Sequence, residues 1–132
     1  MKILVAPNSM KGSLDAFAFA QSVERAFRKV SPLFEVRTLP VADGGDFTAQ
    51  VLRRALSAVP VKLTVSDPLM RRIEATYFVS GKTAIIEMSD ASGLKLLSDG
   101  EANPEKTSSF GTGEMIAHAV ANGCNTILLG IG

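Results

Sequence analysis

The 132-residue chain reads as an α/β protein, in which a mostly parallel sheet carries helices and a small β-rich segment is inserted. Three observations predict that class. Residues 2–6 are apolar at almost every position, the pattern of a strand buried on both faces of a parallel sheet. An amphipathic helical run and a second apolar strand follow, which makes a strand-helix-strand unit with its right-handed crossover. Residues 61–88 then carry strand-like runs separated by short turns, which predicts antiparallel pairing.

Taken in order, the first strand ends at Pro7. From Ser13 the period changes, because Ala16, Phe19, Ala20, Val23, Ala26, Phe27 and Val30 recur at three- and four-residue steps with Asp15, Glu24, Arg25, Arg28 and Lys29 off the stripe. Ser13 is expected to cap this helix, with Asp15 in its first turn and Arg28 and Lys29 in its last. Residues 34–39 form the second strand. Phe47, Val51, Leu52 and Ala55 mark a second amphipathic helix ending before Pro60. The strand-like runs 61–65, 73–79 and 83–88 come next, and residues 89–109, rich in Ser, Gly, Asp and Asn, are expected to be mostly loop. Gly111-Thr112-Gly113 precedes a helix bearing Met115, Ile116, Ala119 and Val120, which ends at Asn122-Gly123. A last buried strand, 126–129, leads to Gly130-Ile131-Gly132. The expected organisation is Rossmann-like or flavodoxin-like, with residues 1–59 and 103–132 as parts of one α/β domain and 60–102 as the inserted β-rich subdomain.

Composition narrows the function. Hydrophobic residues make up 46% of the chain, enough for a real core, while charged residues are 20% and the net charge is +1 with both signs interspersed. No basic face of the kind nucleic-acid binders use is formed, so nucleic acid is not an expected partner. The apolar opening is too short for a signal core or a membrane span, and Cys124 is the only cysteine, so a cytoplasmic protein without membrane association is expected.

Four loops hold the residues suited to chemistry. In Pro7-Asn8-Ser9-Met10-Lys11-Gly12-Ser13, a lysine and hydroxyls beside a helix start suit an anion, and equally suit a capped, solvated turn. In Asp43-Gly44-Gly45-Asp46, a carboxylate can hold Mg²⁺ or accept a proton, and the glycines admit close approach to the backbone. The bland alternative is a tight turn with Asp46 capping the next helix. Glu87, before Ser89-Asp90-Ala91-Ser92-Gly93, faces either the site or solvent, and alternation leaves this open. The stretch from Asn103 through Thr107 to Gly111-Thr112-Gly113-Glu114 makes either an anion cradle or a flexible capped loop. His118 lies off the apolar stripe and is expected to be a solvated surface residue, and Cys124 has no partner pattern for a catalytic thiol. A Walker-type loop, a dinucleotide fingerprint and zinc-ligand spacing are all missing from the sequence.

These loops together resemble the bacterial glycerate kinases. Ala6 to Leu14, Pro40 to Gly45, Ile86-Glu87-Met88 with Ala91 to Leu94, Asn103-Pro104, and Phe110 to Glu114 occur there in the same order. The resemblance implies ATP- and Mg²⁺-dependent phosphorylation of a glycerate hydroxyl on a two-domain α/β protein of which this chain is an N-terminal portion, inactive or nearly so alone. It implies Asp43 as proton acceptor or Mg²⁺ ligand and Lys11 with Ser9 on phosphate or carboxylate. Asn8, Gly44, Gly45, Thr107, Gly111, Thr112 and Gly113 would line the substrate, with Asp46, Glu87 and Ser92 as further candidates. Glycerate and ATP are the expected partners, and self-association is left open. The chain departs from the family pattern at Asn8 (usually Asp), Met10 (usually Phe), Asp46-Phe47 (usually Glu-Gly) and Met70 (usually Gly).

Overall fold

The computed structural model describes residues 1–10 and 12–132, so Lys11 lies outside the described residues. The chain forms two compact units, Met1–Asp43 and Gly44–Gly132.

The first unit is β1 (Lys2–Val5), α1 (Ala16–Val30) and β2 (Glu35–Thr38). The strands pair in parallel, Lys2 opposite Glu35 through Val5 opposite Thr38. Val5, Ala20 and Val36 form the buried centre, with Ile3, Val23, Phe27 and Phe34 packed around it. Ala16 and Ala20 are almost fully buried, and their small side chains let α1 lie close to the strands. Arg28 pairs with Glu24 one turn earlier on the exposed face. The helix starts later than the sequence suggested. Asp15, not Ser13, is the cap, its Oδ1 accepting from Phe17 and Ala18 N–H at 2.8 Å each. The reason is the preceding turn, in which Met10 and Leu14 exchange backbone hydrogen bonds of 2.7 and 3.2 Å and so draw Ser13 into a loop before the helix.

The second unit contains α2 (Thr48–Ala55), β3 (Val59–Ser66), β4 (Arg72–Ser80), β5 (Thr83–Glu87), α3 (Ser89–Ser92), a 3₁₀ turn (Leu94–Leu96), α4 (Phe110–Ala121) and β6 (Thr126–Gly130). Its sheet has the order β3-β4-β5-β6. The expected antiparallel hairpins are present, β3 with β4 and β4 with β5, and β6 joins β5 in parallel from Thr83 opposite Thr126 to Glu87 opposite Gly130. This differs from the expected partition, because the β-rich stretch and the last strand share one sheet.

Alternation along the strands sends side chains to two cores. Val65, Ala75, Tyr77, Ala84 and Ile86 face α3 and α4 through Ala91, Met115 and Ala119, while Phe78 and Ile85 face α2 through Ala49 and Leu52. Two details of α4 depart from the reading of its pattern. Gly111, Thr112 and Gly113 form its first turn instead of a loop before it, and Val120 is exposed while Gly111 and Thr112 are buried. His118 is half-buried instead of solvated, its Nδ1 lying 3.0 Å from the Tyr77 hydroxyl in an edge-to-face ring contact. Burying the phenol of Tyr77 requires a polar partner, and His118 supplies it. Within residues 89–109, a short helix and a 3₁₀ turn interrupt the expected loop.

Candidate functional site

In the first unit the candidates gather where the two parallel strands end. Leu39 N–H donates to the Val5 carbonyl at 2.8 Å and Val41 N–H to the Pro7 carbonyl at 3.0 Å, so the chain after β2 runs beside the chain after β1. Ligands of parallel sheets bind at such carboxyl ends. Asn8 and Ser9 are half-buried there, and the Asn8 amide oxygen accepts from Ser9 N–H at 2.7 Å. Asp43, exposed, closes this segment. Lys11, expected beside them, falls outside the described residues.

In the second unit, β3 and β5 run the same way, each antiparallel to β4, and β6 is parallel to β5. Their carboxyl ends, Ser66, Glu87 and Gly130, therefore share one end of the sheet. The turn Gly44 to Thr48 is fixed at this end from three directions. Gly44, at φ +97°, holds a left-handed conformation that glycine adopts freely, and its N–H donates to Thr48 Oγ1 at 3.1 Å. Its carbonyl accepts from Gly132 N–H at 2.8 Å. A Cβ on Gly130 would approach that same carbonyl to 2.9 Å, so the end of β6 must be bare to lie against the turn.

Glu87 supplies the third constraint and settles the direction that alternation left open. It points inward, with only 5% of its surface exposed. Its carboxylate accepts from Phe47 N–H at 3.1 Å, Ala49 N–H at 3.0 Å and Ser89 Oγ at 2.9 Å. Phe47, the residue before α2, offers no side-chain cap of its own. A carboxylate from the opposite side of the turn therefore caps α2, in place of the Asp46 cap that was the structural alternative, and Asp46 stays exposed. Gly44, Gly45 and Glu87 are thus brought together, and Thr48, Gly130 and Gly132 join them as residues the sequence did not single out. A hydroxyl four residues after a glycine was the available signal for Thr48.

A second group forms where α4 begins. Gly111 packs so closely that a Cβ would fall 1.8 Å from the Ser66 carbonyl oxygen. Thr112 is buried, and its hydroxyl lies 2.7 Å from the Ser92 hydroxyl, so these two candidates bond to each other. Thr107 is half-buried and donates its N–H to Asn103 O at 3.1 Å, while Gly113 is exposed. Glu114 accepts from Ser66 N–H at 2.6 Å and from Arg72 at 2.7 Å. The Arg72 guanidinium, with the Ser66 amide, holds the Glu114 carboxyl below its ordinary range.

Beside it, buried Asp67 accepts from Leu69 and Arg71 N–H at 2.8 Å each and from the Arg71 guanidinium. Burial alone would raise the Asp67 carboxyl, but the Arg71 side-chain bond, the two amides and the Arg71 charge outweigh it and hold it low. Arg71 also reaches Glu101 at 2.9 Å and the Leu96 carbonyl at 3.0 Å, tying residues 94–101 to the β3–β4 turn. No spacing marks the Arg71–Glu101 and Arg72–Glu114 pairs, whose partners lie 30 and 42 residues apart.

Comparison with known proteins identifies the family. A family model described as the glycerate kinase family matches residues 3–132. Glycerate 2-kinase of Escherichia coli K12 is 41% identical over 134 residues, covering 100% of this chain and 35% of its own length. Glycerate kinase of Bacillus subtilis 168 is 42% identical with the same coverage, 100% and 35%. A crystal structure from Salmonella typhimurium LT2, of a protein provisionally assigned as glycerate kinase 2, superposes with a TM-score of 0.80 at 42% identity, covering 100% of this chain and 36% of that one. The chain therefore spans about 35% of the length of the curated relatives it matches. With the match running through every candidate loop, the chain belongs to the glycerate kinase family.

Proposed function

We propose that this chain is the N-terminal part of an enzyme that transfers the γ-phosphoryl group of ATP to a hydroxyl of glycerate in the cytoplasm. The observation that carries the reading is the family match over residues 3–132, which runs through all the candidate loops. In the reaction the glycerate oxygen bonds to the γ-phosphorus, the bond to the bridging oxygen breaks, and ADP leaves. Asp43 accepts the hydroxyl proton or holds a metal ion. Lys11 and Ser9 bind phosphate or carboxylate, Asn8 lies beside them, and Gly44 and Gly45 let substrate approach the backbone. In the second unit Thr107 and Gly113 offer anion-binding groups before and at the start of α4, while Gly111 and Thr112, buried against Ser66 and Ser92, hold that helix start in place. Glu87 acts on the turn and not on substrate, because its carboxylate is already engaged by Phe47, Ala49 and Ser89.

Among the described residues no group of three His, Cys, Asp or Glu side chains could hold a metal ion. Mg²⁺ bound with nucleotide needs one or two carboxylates and takes its other ligands from phosphates and water. Exposed Asp43 and Asp46 suit that part. When bound, Mg²⁺ neutralises charge building on the transferred phosphoryl group.

A second reading is a non-catalytic chain that binds a small anion or associates with another polypeptide, and the departures at Asn8 and Phe47 favour it. Among the described residues no helix is long and apolar enough to cross a membrane. Calorimetry of the 132-residue chain with glycerate and with ATP, alongside a coupled ADP-release assay, tests the proposal. Binding without appreciable turnover is expected. Turnover matching a full-length relative would overturn the expectation of inactivity, and binding of neither compound would count against the site.

A further inference from the structure

The turn between β3 and β4 is built on one buried carboxylate. Asp67, at 1% exposure, accepts from the Leu69 and Arg71 N–H groups and from the Arg71 guanidinium. Its own N–H donates to the Arg71 carbonyl at 2.8 Å, and its carbonyl accepts from Met70 N–H at 3.0 Å. Residues 67–71 are thereby fixed as a unit, and that unit grips the segment 94–109 at two places. The Arg71 guanidinium donates to the Leu96 carbonyl at 3.0 Å and to Glu101 at 2.9 Å, and the Pro68 carbonyl accepts from Ser108 N–H at 2.9 Å.

Thr107 lies between these two anchors. On its N-terminal side, Glu101 accepts from Ser98 N–H at 2.9 Å and donates its N–H to the Ser98 carbonyl at 3.1 Å, so the residue that Arg71 holds also closes a turn of the loop. Asn103 closes the next turn, its Oδ1 accepting from Glu105 N–H at 2.9 Å and its carbonyl from Lys106 and Thr107 N–H at 3.0 and 3.1 Å. The second anchor, Ser108, follows Thr107 directly.

Arg71 stands beside a loop suited to anions, yet its charge is already committed. Asp67 and Glu101 face it with two carboxylates against one guanidinium, so the trio attracts no further anion. What it supplies is geometry, because a planar fork reaches three acceptors in fixed directions and a lysine ammonium on a flexible stem does not. The neighbouring Arg72 differs, since its bonds go to Thr64, Ser66 and Glu114, on β3 and α4 alone.

We infer that Arg71 is a positioning residue that holds Thr107 in place through Glu101 and Leu96 before substrate arrives, an assignment that rests on the reading of Thr107 as an anion-binding residue. Ordering the loop in advance spares the ligand the entropy of ordering it on binding.

Calorimetry of the 132-residue chain with glycerate and with ATP, read beside amide hydrogen exchange, tests this role. Arg71→Lys keeps a cation for Asp67 but gives up the fork. Glu101→Ala cuts the link to the loop and leaves the Asp67 pair intact, so it serves if the lysine variant fails to fold. Each should weaken binding of at least one of the two compounds by about tenfold, the scale of one lost hydrogen bond to a charged group. Exchange at Thr107 and Ser108 should quicken while exchange at Ala49 stays unchanged. The double variant should bind no more weakly than Arg71→Lys, because both changes cut one link. Lys62→Ala, which breaks an exposed pair with Glu74 at 2.7 Å in the same sheet, should alter neither readout. A parent chain that binds neither compound would overturn the reading of the site and this role with it. A parent that binds, with variants that bind both compounds as tightly, would overturn the role of Arg71 alone. Weaker binding accompanied by faster exchange at Ala49 would also overturn it, since that marks a general loosening of the unit.

Discussion

Replacing Glu87 by alanine should destabilise the chain by about 3 kcal/mol and loosen the turn that carries Gly44 and Gly45. The magnitude follows from what the carboxylate holds. It accepts from two backbone N–H groups, Phe47 at 3.1 Å and Ala49 at 3.0 Å, and from the Ser89 hydroxyl at 2.9 Å. Alanine removes all three acceptor contacts at a position that is only 5% exposed. Each amide left without a partner costs about 1–3 kcal/mol, whereas Ser89 can turn to water, so two amides give about 2–6 kcal/mol, and about 3 lies in the lower half of that range because water can reach the exposed side of the turn. Glu87→Gln keeps one acceptor oxygen and presents an amide to the other donor, so about half the loss is expected. Urea denaturation of the three proteins measures the energies, and hydrogen exchange at Phe47 and Ala49 locates the effect. An alanine variant within about 0.5 kcal/mol of the parent, with unchanged exchange at Ala49, would refute the cap.

The other expectations concern backbone and charge. Phe47 and Met70 sit at φ +70° and +66°, where a Cβ is strained, so Phe47→Gly and Met70→Gly should each be more stable than the matching alanine variant by about 1 kcal/mol in urea melts. The reverse order would show that these conformations carry no strain. Gly111→Ala should cost about 3 kcal/mol or prevent folding, because the added Cβ meets the Ser66 carbonyl at 1.8 Å, while Gly113→Ala, with nothing within 4 Å of its Cβ, should stabilise α4 by about 0.5 kcal/mol. Equal effects of the two changes would contradict the packing described. Asp67 and Glu114 are both held below their ordinary values of 3.8 and 4.5. A depressed carboxyl contributes stability that is present above the ordinary value and lost as pH falls through the lower folded one. The urea midpoint should therefore decline below pH 4.5, and less steeply in Glu114→Gln; an identical decline in both would remove Glu114 from the account.

The legibility of these features in the sequence depended on range. Local periodicity located α1 and the hairpins, because amphipathic stripes and short turns are written in neighbouring residues. Asp15 displaced Ser13 as cap because the Met10–Leu14 turn uses residues that pattern alone would assign to a helix start. Glu87 was visible only as a carboxylate of unknown direction, since its partners lie about forty residues away and form only when β5 and α2 pack. Gly111 and Thr112 looked like a loop for anions, and their burial against Ser66 and Ser92 depends on a helix-to-sheet contact that no spacing records. The family resemblance was legible because it rests on residue order, which needs no geometry.

The most direct measurement joins this chain in frame to the part of E. coli glycerate 2-kinase that lies beyond the matched segment, and follows ATP-dependent phosphorylation of glycerate with and without Asp43→Asn. Phosphoryl transfer by the joined protein is expected, with a fall in kcat of about a hundredfold or more in the variant, the scale expected when a proton acceptor is removed. No transfer by the joined protein, or an undiminished kcat with Asn at position 43, would contradict it.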